Sequence, residues 1–199
     1  MTLAKIYATR EEWLTAAVEE FRAVFAAQAS PIPLKVRVTC GFPSTARRSG
    51  AIGECWADTA SADKSMEVMI SPVLSDPYRV VDVLVHELCH TTAGGMNHGV
   101  AFQKVADAMH LIPAAGKAGY KATTGGDAFR AAYGAIIDGL GLYPHAQLSM
   151  TSRKKQDTRM FKAICPTCGY TVRLSKKWAD KGLPTCIDGD TFILETTGA

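Results

Sequence analysis

Asp76-Pro77-Tyr78-Arg79-Val80-Val81-Asp82-Val83-Leu84-Val85-His86-Glu87-Leu88-Cys89-His90, followed by Thr91-Thr92-Ala93-Gly94-Gly95, is the stretch from which the rest of the chain is read. Asp76-Pro77 is a helix start, with proline at the first helical position, where its missing N–H costs nothing. Val80, Val81, Leu84 and Leu88 recur at helical spacing, and Gly94-Gly95 stops the helix. Positions four apart share one helix face, so His86 and His90 stand one turn above the other. Two imidazoles so placed can grip one Zn²⁺ at about 2.0–2.1 Å from each nitrogen. Glu87 falls beside such an ion without binding it. It is the candidate base that takes a proton from water acidified by zinc and passes it to a leaving amine.

A zinc site that does chemistry takes a third protein ligand and leaves a fourth position open. The metzincin spacing asks for glycine three residues after His90 and histidine six after it, but these positions hold Ala93 and Met96. No glutamate occurs between Glu87 and Glu195, so a Glu ligand on a later helix is excluded. His98, Asp107, His110, Asp127 and His145 remain. His98 leads, because the Gly94-Gly95 turn lets the chain double back and His98 opens a helix that would pack on the first through Phe102. Asp127 is next, while His110 and His145 read as surface residues.

Outward from this motif, Thr9-Arg10-Glu11-Glu12 is a capping box for a helix that carries Trp13, Leu14, Ala17, Val18, Phe21, Val24 and Phe25 inward. Leu34–Cys40 alternates apolar and polar residues as a half-buried strand. Ala51–Ala57 and Met66–Ile70 read as two more strands. A helix from about Gly99 to Met109 and another capped by Asp127 follow, with residues 112–126 between them read as loop. Helix, three strands, then helices make an α+β domain. It spans residues 1–143 and has a three-stranded, antiparallel-type sheet. Residues 144–158 read as a polar linker, and residues 159–199 as a small module.

That module holds Cys165-Pro166-Thr167-Cys168-Gly169, a zinc knuckle, and Cys186 follows with 17 residues between it and Cys168. Gly189 stands where a fourth cysteine would fall. The site is therefore three Cys with Asp188 as fourth ligand, or one completed by water, or one that holds no metal. Asp188 is the favoured reading. Cys40, Cys55 and Cys89 read as core residues. Charge is uneven: residues 1–150 hold 13 Lys/Arg against 14 Asp/Glu, whereas residues 151–181 hold 9 against 2. Arg173, Lys176, Lys177 and Trp178 are the candidate nucleic-acid contacts, basic groups tracking phosphates and an aromatic face stacking on a base. Tyr170 reads instead as part of a small core.

The chain has 199 residues, 47% of them hydrophobic, which suits one packed domain and an appendage and excludes global disorder. No run of about 18 or more apolar residues occurs, so no membrane span is expected. Met1–Arg10 lacks the apolar core of a secretory signal, so the expected compartment is the cytoplasm. Its reducing conditions favour thiols or metal ligands over disulfides.

His86-Glu87-Leu88-Cys89-His90 followed by His98-Gly99-Val100-Ala101-Phe102 resembles the SprT-like family, which includes the Spartan proteases. The resemblance implies a zincin-like metalloprotease domain with His86, His90 and His98 as zinc ligands and Glu87 as base. It also implies a C-terminal zinc ribbon, with a departure at the fourth ligand, and substrates that are DNA-associated or DNA-crosslinked proteins. In such folds an edge strand binds the substrate main chain, and Met66–Ile70 is the strand expected to do so. The expected cofactors are one catalytic Zn²⁺ and a second, structural one; the expected partners are a protein substrate and DNA, with no membrane. Two rival readings are a zinc-stabilised nucleic-acid-binding protein without catalysis and a zinc hydrolase of another kind, such as an amidase.

Overall fold

The first helix, α1 (Arg10–Ala27), begins where its cap residues put it. Thr9 Oγ1 accepts from the Glu12 amide at 3.1 Å, and Glu12 Oε2 accepts from the Thr9 amide at 3.3 Å. In this computed structural model, which describes residues 6–150 and 160–195, the α1 face of Trp13, Leu14, Ala17, Val18, Phe21 and Phe25 is buried in the main core. The chain divides into two compact units, Met1–Ser149 and Met150–Ala199.

In the first unit, β1 (Val36–Cys40), β2 (Gly53–Trp56) and β3 (Met66–Ile70) form a sheet in the order β1-β3-β2. This corrects the expected antiparallel-type sheet. β1 runs parallel to β3, Val36 opposite Met66 and Cys40 opposite Ile70, and only β2 is antiparallel, with Gly53 opposite Ile70. It also corrects the place of Met66–Ile70, which is the central strand. No residue of β3 is exposed, whereas Arg37 and Thr39 of β1 and Trp56 of β2 are, so β3 takes the position covered on both sides. Leu34, expected in the first strand, lies outside it and is 91% exposed. A short helix, α2 (Ala46–Ser49), interrupts the loop between β1 and β2.

The motif helix is α3 (Pro77–Thr92), with Asp76 Oδ2 accepting from the Arg79 amide at 2.9 Å. It is followed by α4 (Val100–Ala108). The next stretch is not all loop. Short strands β4 (Leu111–Pro113) and β5 (Thr123–Gly125) pair as an antiparallel hairpin, Leu111 opposite Gly125 and Pro113 opposite Thr123. α5 (Asp127–Leu140) then packs Phe129, Tyr133, Ile137 and Leu140 into the core; its cap is Gly126, and Asp127 is its first residue. Pro144–Leu148, within the stretch read as linker, is tied to this unit. Arg10 donates to the Pro144 and Ala146 carbonyls at 3.1 and 2.6 Å, and the Leu148 amide donates to the Pro72 carbonyl at 2.9 Å.

In the second unit, β6 (Phe161–Ile164), β7 (Thr171–Leu174) and β8 (Ile193–Leu194) form an antiparallel sheet in the order β7-β6-β8, with a short helix α6 (Lys176–Ala179) after β7. Its buried core is Ala163, Cys165, Cys186 and Phe192. Among the described residues, no helix is long and apolar enough to cross a membrane.

Candidate metal centres

α3 buries Val80, Val81, Leu84, Val85, Leu88 and Cys89, and so fixes the rotation at which His86, Glu87 and His90 emerge. After α3 the chain reverses through Gly94, whose φ of 71° is in the left-handed region that favours glycine. Asn97 Oδ1 accepts from the Gly99 amide at 2.9 Å, and Gln103 Nε2 donates to the His98 carbonyl at 3.0 Å, so His98 is held from both sides at the entry to α4. Phe102, in the first turn of α4, packs against all three imidazoles. Its ring centre lies 4.9, 4.4 and 4.8 Å from those of His86, His90 and His98.

His86, His90 and His98 each offer a ring nitrogen, and these nitrogens lie within 4.8 Å of one another. The Nε2 atoms of His86 and His98 are 3.2 Å apart. Two tetrahedral ligands at 2.0–2.1 Å from one zinc ion are separated by about 3.3 Å. The group therefore fits a metal ion. His86 turns its other ring nitrogen, Nδ1, to Thr123 Oγ1 of β5 at 2.8 Å, which leaves Nε2 for the centre. Burial, with help from the neighbouring rings, lowers the pKa of His86 to about 3 and that of His90 to about 4, and burial also lowers that of His98. At neutral pH the rings are unprotonated, the form that binds metal. Asp127, the alternative third ligand, is exposed and outside the group, as are His110 and His145.

Glu87 is 6% exposed and has no hydrogen-bond partner among the described residues. Burial first, and Glu54 second, raise its pKa to about 8. β2 passes directly over it. A Cβ on Gly53 would stand 2.7 Å from Val83 Cγ1 and would also collide with Glu87 Oε1. Only glycine permits that approach. The cavity in front of the histidines has a volume of about 760 Å³ and is lined by β2 residues Gly53, Glu54 and Cys55 on one side and by Lys117, Lys121 and Thr123 on the other. Cys55, expected in the core, packs half-buried against it and also lines this cavity, and burial raises its thiol pKa to about 12. Cys40 is half-buried too, whereas Cys89 is fully buried as expected.

Cys165, Cys168, Cys186 and Asp188 form a second group whose ligand atoms lie within 4.8 Å of one another. The Sγ atoms of Cys168 and Cys186 are 3.4 Å apart, and Asp188 Oδ2 is 3.6 Å from Cys165 Sγ. With Zn–S near 2.3 Å and Zn–O near 2.0 Å, tetrahedral sulfur–oxygen edges are about 3.5 Å, so this set also fits a metal. The knuckle turns on Gly169, φ 73°, with the Cys165 amide donating to the Tyr170 carbonyl at 2.8 Å. Gly189 has φ 95° at the position lacking a cysteine, and Asp188 beside it turns its carboxylate to the thiols. The Cys186 thiol, donating to that carboxylate, lowers its pKa. Asp190 instead accepts a hydrogen bond from Thr167 and so ties the two knuckles together.

Arg173, Lys176, Lys177 and Trp178 are all exposed on the second unit. The Lys177 and Lys181 ammonium groups lie 5.4 and 5.3 Å from the centre of the Trp178 ring. Tyr170 departs from expectation: it is 61% exposed, with its ring edge-on to Phe192 of the small core. Arg153, Lys154, Lys155 and Arg159 lie outside the described residues. Sequence reasoning missed Gly53 and Thr123. A glycine within a strand pattern is a sign of close backbone approach; nothing marked Thr123, since its strand read as loop.

The fold and these two groups define an α+β protein able to hold metal ions at a three-histidine and at a three-cysteine, one-aspartate set. No protein-family model, curated protein or solved structure matches the chain.

Proposed function

We propose that this chain is a zinc-dependent endopeptidase of the SprT-like kind, acting on DNA-associated or DNA-crosslinked protein. The observation that carries the reading is the convergence of His86, His90 and His98 beside a buried Glu87 that has no hydrogen-bond partner among the described residues, all lining one cavity. The three imidazoles would hold the zinc. Bound there, zinc supplies a Lewis acid that acidifies water and polarises a peptide carbonyl. Beside a divalent cation at the three imidazoles, the buried Glu87 carboxyl would be drawn back into its ionised form, in which it takes the proton from water at a carboxylate oxygen and returns it to the nitrogen of the leaving amine. Burial of Glu87 under Gly53 holds that carboxylate in one place.

β2 replaces β3 as the strand offered to substrate. It is an edge strand and lines the cavity, so an extended peptide can add to its free side by main-chain hydrogen bonds. The second group of ligands would hold a structural zinc in a ribbon. Trp178 between Lys177 and Lys181, with Arg173 and Lys176 nearby in sequence, supports single-stranded DNA as partner of that ribbon, through stacking and phosphate contacts.

Glu87→Gln tests the catalytic half. With the purified full chain, a DNA-bound protein substrate and DNA, the variant keeps its zinc content and loses cleavage by about 10²-fold or more. Cleavage by the variant at the parent rate would remove Glu87 as the base, and no cleavage by the zinc-loaded parent would favour the non-catalytic alternative.

A further inference from the structure

Thr123, Thr124 and Gly125, the whole of β5, are each fastened to α3. Thr123 Oγ1 lies 2.8 Å from His86 Nδ1. The Thr123 carbonyl accepts from Arg79 Nη1 at 3.4 Å, and the same nitrogen donates to Asp82 Oδ1 at 2.5 Å. Asp82 Oδ2 accepts from Thr124 Oγ1 at 3.4 Å and from the Gly125 amide at 3.3 Å. Asp82 and Thr123 are both 6% exposed. Asp82 precedes His86 by four residues, so both stand on the α3 face that meets β5.

Such fastening has a consequence for the ring. A histidine that binds metal through Nε2 carries its proton on Nδ1, and a partner for that proton fixes both tautomer and ring orientation. The Nε2 of His86 faces His98, and its Nδ1 faces a hydroxyl that can accept. A three-residue strand with only hairpin pairing would be free to shift. Asp82 and Arg79 remove that freedom by holding the two ends of β5 to α3.

We propose that Thr123 is the positioning residue for the ligand His86, and that Asp82, paired with Arg79, is the anchor that keeps Thr123 in place. The inference rests on the metal-binding half of the proposed function and not on peptide cleavage. Three-histidine sites usually orient their rings with carboxylates, carbonyls or water; here a neutral hydroxyl does it, and the carboxylate is one step further out.

The test is zinc affinity of the full chain, by competition with a chromophoric chelator. The step that vanishes in Cys165→Ser marks the cysteine site and leaves the histidine step to be read. Thr123→Val, which keeps shape and removes the hydroxyl, is expected to weaken the histidine step by about 10- to 100-fold, and Thr123→Ser to hold it near the parent value. Asp82→Asn is expected to weaken it less than Thr123→Val. Thermal melts of the zinc-free chains separate this from loss of fold: a positioning role leaves the zinc-free melt of Thr123→Val close to that of Thr123→Ser. Parent-like affinity in Thr123→Val, or equal losses in the Val and Ser variants, overturns the inference while leaving the proposed function intact. A parent chain with no histidine step overturns both.

Discussion

The two ligand groups are held by opposite means. His86 and His90 project from α3 and His98 stands at the entry to α4, over a large apolar core that includes Trp13, Phe21, Phe25, Leu84 and Leu88. In the second unit the buried core is Ala163, Cys165, Cys186 and Phe192, and two of these four side chains belong to the candidate ligand set. One site is mounted on a finished scaffold; at the other, ligands and scaffold are the same atoms. Small units with so little apolar core fold only with added cross-links, and a metal is one such link.

The largest effect that tests this contrast is metal removal. A chelator is expected to unfold the second unit and leave the first folded, since structural zinc contributes on the order of 10 kcal/mol. Amide hydrogen exchange reads it: protection in β6 and β7 disappears while that of β3 and α3 persists. Protection of Phe161–Leu174 in zinc-free protein would break the contrast.

Phe21→Ala probes the other side. Phe21 is fully buried against Tyr133, ring centres 5.2 Å apart, and its truncation is expected to cost the first unit about 3–5 kcal/mol in denaturant melts. Zinc per chain should not change at ordinary temperature. Loss of zinc without loss of stability would mean that the core and the histidine site are one structure, as in the second unit.

The smallest effect concerns the surface. Trp178→Ala is expected to weaken binding of a single-stranded oligonucleotide by about 1–3 kcal/mol at fixed salt, read by fluorescence anisotropy, with zinc content unaltered. An unchanged Kd removes Trp178 from the proposed DNA contacts and leaves the lysines and Arg173 of the second unit as the candidates.

Much of the site was legible from residues 76–102, where local rules agree. Proline and aspartate start α3, Gly94 ends it, and helical spacing pairs His86 with His90. The capping box of α1 was legible for the same reason. The neighbours of each strand were not. Period-two alternation identifies Leu34–Cys40 as a strand and the short apolar run Met66–Ile70 reads as another, but neither pattern records which edge pairs with which. The hairpin of β4 and β5 left no periodic signal, because three residues per strand are too few to show one, and its stability comes from Asp82 and Arg79 on α3.

The sequence by itself determined the main helices and the three strands of the first unit, the candidate metal-ligating side chains and the division of charge, because caps, spacing and composition act over a few neighbouring residues. Tertiary structure alone decided that β3 lies between β1 and β2, that Gly53 roofs Glu87 and that Thr123 meets His86. Those outcomes depend on which buried faces pack together across tens of residues, and burial is a property of the whole folded unit that no local pattern specifies.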